Sequence, residues 1–197
     1  MSNQIIISIG RETGSGGNDV AKILSERLGI PLYGKNILRH VCEEKGIPSE
    51  ELEKYDESPK NALLSSTING HSNSFEQIIA DMQFSFLKRE AAAGKSFVVV
   101  GRCGEYVLKG HPALVSVFLL SNMEFKIHRI MEANDLNYHE AENLIIRKDK
   151  KRKSYHNSFA QGKWGDSRLY DMCIDTGKLG IENSAELILQ YIELLKK

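Results

Sequence analysis

Cysteine is scarce in this chain: three residues, Cys42, Cys103 and Cys173, stand far apart and in no CxxC arrangement. An odd, scattered set excludes a disulfide framework and a thiolate zinc site, and buried free thiols are the expectation. An excess of charge of one sign is missing too, since 26 basic side chains are matched by 26 acidic ones. That balance gives no net field to attract nucleic acid or a membrane surface, so any anion site must be local. Long hydrophobic runs are also absent. No stretch approaches the ~20 apolar residues that span a bilayer, and MSNQIIISIG lacks the basic start and long apolar middle of a secretory signal. A cytoplasmic protein is expected. The six histidines are scattered, and HEAEN at His139 lacks the second histidine of a zinc-binding helix, so no metal ligand set is expected.

At 197 residues, the chain is long enough for one core with movable flaps and too short for two comfortable domains. Gln4–Ile9 reads as a buried strand, because QIIISI is a short β-branched run that ends at a glycine. Asp19–Leu28 then places Val20, Ile23, Leu24 and Leu28 at helical spacing, with Gly29 as the stop. Further strands are expected at Ser96–Val100, Ala113–Leu120 and within DMCID, with helices at about 36–45, 75–93, from Asn137 onward and at 183–195. Continuous apolar strands alternating with amphipathic helices are the pattern of a parallel sheet covered on both faces. The helix at 75–93 carries Phe75, Ile78, Ile79, Met82, Phe86 and Leu87 along one face. Asn137 and Glu140 have the spacing of a capping box. Residues 55–74, rich in Ser, Asn, Asp, Gly and Pro, read as a mobile, partly disordered flap.

Ligands of open parallel sheets gather beyond the carboxyl ends of the strands, which here read GRETGSGGN, GRCGE, SNMEF and DTGK. The loop from Thr13 through Gly14, Ser15, Gly16, Gly17, Asn18 and Asp19 turns backbone N–H groups inward at the amino end of a helix. That arrangement suits a di- or triphosphate. Against the phosphate loop GxxxxGK[ST], Gly17 stands in the place of the lysine and Arg11 in that of the first glycine. Asn18 or Asp19 stands where a hydroxyl would ligand the metal. Phosphoryl transfer is mostly positioning and charge neutralisation, so arginines can replace the lysine. Arg11, Arg102 and the basic stretch RKDKKRK are the candidates. In that stretch Asp149 and Arg152 are three apart, and Arg147 and Lys151 four apart, so each pair shares a helix face.

The order of these segments resembles that of the cytidylate kinase-like family, relatives of the nucleoside monophosphate kinases. The similarity runs from ISIGRETGSGGNDVAKILSERLGIPLYGKNIL through VVVGRCGEYVL, VFLLSNMEFKIHRI and RKDKKRKSYHNSF. It continues past the lone Trp164 in GKWGDSRLYDMCIDT to the closing helix. The resemblance implies an α/β fold of one P-loop NTPase-like domain over 1–197, a three-layer sandwich with a parallel sheet of about five strands. It also implies a helical acceptor-binding part near 34–94, a basic lid near 134–165, and ATP with Mg2+ on the 13–19 loop. Arg11, Arg147 and Arg152 become the catalytic candidates, and Arg39, Arg102 and Asp149 the substrate-binding ones. Cys103 stands where true cytidylate kinases have an aspartate after GR, and Gly34 where they have an acceptor-side Ser or Asp, so no base is assigned. Two functions stay open: a phosphotransferase acting on a small phosphate acceptor, or a nucleotide- or phosphate-binding regulatory protein with a degenerate loop. A homodimer through a helical face also stays open.

Overall fold

The computed structural model describes residues 4–53, 55–59, 67–68, 71–72 and 74–195. In chain order the elements are β1 (Ile6–Arg11), α1 (Gly17–Leu28), β2 (Leu32–Tyr33), α2 (Asn36–Lys45), α3 (Glu50–Glu53), β3 (Thr67–Ile68), β4 (His71–Ser72) and α4 (Phe75–Ala92). After them come β5 (Phe97–Val100), α5 (Gly104–Val107), β6 (Leu114–Leu120), α6 (Met123–Asn134), α7 (Tyr138–Phe159), β7 (Met172–Asp175), α8 (Thr176–Leu179) and α9 (Ile181–Leu195). A five-stranded sheet runs in the order β2-β5-β1-β6-β7, with every pairing parallel. β1 is its centre. Strands β3 and β4 pair separately and antiparallel.

Burial on both faces explains why the strands are continuously apolar. On one face, Ile7, Ile9, Val98 and Val117 pack with Val20 and Leu24 of α1 and Ile188 and Ile192 of α9. On the other, Ile6, Phe97 and Val99 meet Ile37 and Val41 of α2 and Phe86 and Leu87 of α4. α6 and α7 form a smaller cluster through Ile127, Ala141 and Ile145. The capping box of Asn137 and Glu140 is formed at the start of α7. No helix among the described residues is long and apolar enough to cross a membrane.

Three expectations change. β1 runs two residues past Ile9, so Arg11 belongs to the strand itself. The first turns of α4 pack on α2 and Tyr55 and leave Phe75 56% and Ile78 47% exposed; the helix's buried face is Ile79, Gln83, Phe86, Leu87 and Glu90. Cys42 and Cys103 are buried, but Cys173 lies on edge strand β7 and is exposed. Much of the expected 55–74 flap (residues 60–66, 69–70 and 73) lies outside the described residues. Residues 55–59, which belong to it, form a turn against the sheet's carboxyl edge.

Candidate active site

Arg11 leaves the carboxyl end of β1, and the loop that follows turns through Gly14 and Gly16, both left-handed at φ 84° and 75°. Gly16 is the N-cap of α1 and carries no side-chain cap, so the partial positive charge of the first turn faces the loop. These glycines are also required by packing within the chain. A Cβ on Gly14 would lie 2.8 Å from the Lys126 carbonyl oxygen, and one on Gly16 would collide with Ile181 Cδ1.

Gly17 answers to a different neighbour. A Cβ there would lie 2.6 Å from Arg11 Cβ and 2.8 Å from Arg11 Cγ, so the arginine stem fills the space a side chain at 17 would need. The two departures from the common phosphate loop are therefore linked: a side chain at 11 leaves no room for one at 17, and the side chain at 11 is a cation. Other cations border the loop. Arg129 pairs with Asp19 at 2.6 Å, and buried Lys126 donates to Glu12 Oε2 at 2.8 Å.

Beside the loop, three arginines and three carboxylates interlock. Arg102 is 1% exposed; its Nη2 donates to Asp56 Oδ2 at 2.6 Å, and its Nη1 pairs with Glu57 Oε1 at 2.5 Å. Arg11 Nη1 reaches the same Glu57 oxygen at 3.4 Å. Burial lowers the Arg11 guanidinium to about 10 even with Glu57 opposing it. Burial alone would raise Glu57, but Arg11, Arg102 and Arg152 together hold it at about 2. On α7, Asp149 Oδ1 accepts from the Thr13 backbone N–H at 2.7 Å, and Arg152 Nη1 donates to Thr13 Oγ1 at 2.8 Å. Burial pushes the Asp149 carboxyl above its ordinary value against the hydrogen bond from Thr13.

Of the four non-glycine residues with left-handed backbone among the described residues, Glu57, Arg102 and Cys103 meet here. Such conformations are uncommon and are held in place by their surroundings. The Cys103 thiol is buried and pushed far up by burial, so it is no nucleophile. An open cleft of ≈ 600 Å³ runs between α2, the 55–59 turn and α7. Lys35, Arg39, Lys148, Lys151 and Arg152 line it against only two acids, Asp56 and Glu57, a surplus that favours an anionic ligand.

The structure therefore brings Arg11, Arg102, Asp149 and Arg152 together with Thr13, and sets Arg39 across the cleft. Asn18 and Asp19 are exposed at the head of α1. Arg147 is exposed on α7 and lies outside the cleft lining. Sequence reasoning missed Asp56 and Glu57, which carry no periodicity, and Lys126 with Glu12, which are paired across more than a hundred residues. It also missed the buried pair of His156 Nε2 and Glu105 Oε1 at 2.7 Å.

A parallel sheet with helices on both faces, and a glycine loop leaving its central strand for a helix, is the architecture of the P-loop kinases. This chain is a kinase-type phosphotransferase. Residues 6–178 match the cytidylate kinase-like family, and the chain belongs to it. It is 27% identical to the cytidylate kinase of Archaeoglobus fulgidus over 194 residues, which cover 96% of each chain. A crystal structure of a protein from Eubacterium ventriosum is 37% identical, with a TM-score of 0.77 over 96% of this chain and 99% of that one. A shikimate kinase from Bacteroides thetaiotaomicron shares the fold at 14% identity, with a TM-score of 0.55 over 96% and 98% of the two chains.

Proposed function

We propose that the chain moves the γ-phosphoryl group of ATP to a small phosphate-bearing acceptor of the nucleoside monophosphate class. The observation that carries this reading is the exchange at positions 11 and 17. The cation missing from the loop is displaced to the strand end, one side chain away from the cleft, and is not simply lost. ATP with Mg2+ would supply the transferable group and part of the charge neutralisation. The residues fit such a ligand, since α1 offers an amino end without a side-chain cap, with Arg11, Lys126, Arg129 and Arg152 around the loop. Among the described residues no group of three or more His, Cys, Asp or Glu side chains could hold a metal ion, so Mg2+ would depend on phosphate oxygens beside Asn18 or Asp19.

In this reading, Arg11 and Arg152 neutralise the charge that spreads over the transferring group, and their fixed guanidinium geometry suits its oxygens. Asp149 is a positioning residue that ties Arg152 and the Thr13 amide to one helix. Arg39 and Arg102 orient the acceptor phosphate, and α7 excludes water so that transfer prevails over hydrolysis. A coupled assay with ATP-magnesium across the nucleoside monophosphates tests the proposal. ADP release that depends on one acceptor is expected; none above background with any of them would overturn it.

A further inference from the structure

The acceptor site proposed above already contains an anion, and this inference rests on that reading. Glu57 places one carboxylate oxygen between Arg102 and Arg11, the position of a phosphate oxygen bridging two guanidinium groups. We propose that Glu57 is a specificity-determining residue. It holds the arginine pair in the acceptor's place, so an acceptor bearing a phosphate dianion displaces it, while acceptors offering a carboxylate or only hydroxyls do not.

Several features single out Glu57 as the displaceable group. Its backbone is left-handed at φ 49°, a conformation a glutamate keeps only while something holds it. Its carboxylate approaches a glycine: a Cβ on Gly101 would lie 2.9 Å from Glu57 Oε1 and would collide with Arg11 Nη1. Asp56 differs, because Gln83 Nε2 anchors its other oxygen at 2.9 Å. Asp56 therefore remains as counter-ion to buried Arg102 when Glu57 leaves. Held ionised down to about 2, Glu57 occupies the pair throughout the physiological range.

The chemistry of the exchange sets the selectivity. A carboxylate ligand replaces one monoanion by another and must lose its own hydration, so it gains little. A phosphate monoester brings nearly two charges and three acceptor oxygens at neutral pH, enough to outcompete one carboxylate at two arginines.

Titration calorimetry on the full chain tests this with CMP, AMP and inorganic phosphate as phosphate probes and shikimate and gluconate as carboxylate probes. Wild type is expected to bind a phosphate probe and neither carboxylate. E57Q should bind that phosphate probe about tenfold more tightly, the difference between a charged and a neutral competitor, and should begin to bind a carboxylate. E57D keeps the charge on a shorter arm and should tighten phosphate binding by about threefold, which covers the case in which E57Q does not fold. Phosphate binding in wild type that neither variant improves overturns the inference and leaves the acceptor reading standing. No phosphate binding in any of the three proteins overturns both.

Discussion

Restoring the common loop's lysine should damage this protein, and the damage should depend on Arg11. In G17K the new Cβ lies 2.6 Å and 2.8 Å from Arg11 Cβ and Cγ, and the nearer of the two, Cβ, is fixed by the backbone. Overpacking of this kind costs roughly 1–3 kcal/mol. A second cation beside a buried arginine adds about 1 kcal/mol, and replacing glycine at a helix start returns up to ~1 kcal/mol. The net expectation is a loss of about 2 kcal/mol, or a fall in Tm of roughly 4–8 °C for a chain of this length. R11A would not relieve the clash, because it keeps the Cβ that makes the closest contact; R11G would. The assay is urea and thermal unfolding followed by circular dichroism, with the cost of G17K measured in the wild-type, R11A and R11G backgrounds. A cost that persists in the first two and falls by about 1–2 kcal/mol in the third is the coupling expected of touching residues. An equal cost in all three would refute the exchange.

Other consequences are open to direct measurement. R152A removes a donor that meets Thr13 without emptying the core, so kcat should fall by about 10²–10³-fold while Tm moves by only a few degrees. A loss of activity no larger than the loss of folded protein would count against a role in transfer. Because Glu57 in the fold titrates at about 2 rather than 4.5, its stabilisation is full above pH 4.5 and disappears as pH falls from there to 2. About 3 kcal/mol of urea-measured stability should vanish over that window in wild type and not in E57Q; parallel profiles would contradict the ion pairs. Native protein should react with Ellman's reagent at one thiol, and C173S should remove that reaction, since Cys42 and Cys103 are buried.

Local order explains what was legible in the sequence. The apolar run of β1, the glycine loop and α1 are contiguous, and the Asn137–Glu140 box and the Asp149–Arg152 pair lie within one helical turn, where spacing fixes geometry. Of the acceptor-side arginines that the resemblance gives, Arg39 on α2 lines the cleft, and Arg102, just past β5, is buried and pairs with two of the cleft's acids, Asp56 and Glu57. The rest depends on long-range closure. Asp56 and Glu57 sit in a polar turn whose composition suggests only solvent, and their arginine partners at 11 and 102 are 45 or 46 positions away along the chain. Phe75 and Ile78 follow helical spacing and yet are exposed, because periodicity identifies a face without saying how much of it the neighbouring elements cover.

The contact between Arg11 and Gly17 constrains how such loops interconvert by single substitutions. A chain with lysine at 17 and glycine at 11 that gained the arginine first would bear the overpacking cost of two stems in one space. The accessible intermediate has glycine at both positions and no cation in either place, so it stays folded while its phosphate chemistry is weakened. Each form of the loop is thus separated from the other by a functional valley rather than by a folding barrier, and a search keyed to the lysine would pass over every loop on this side of it.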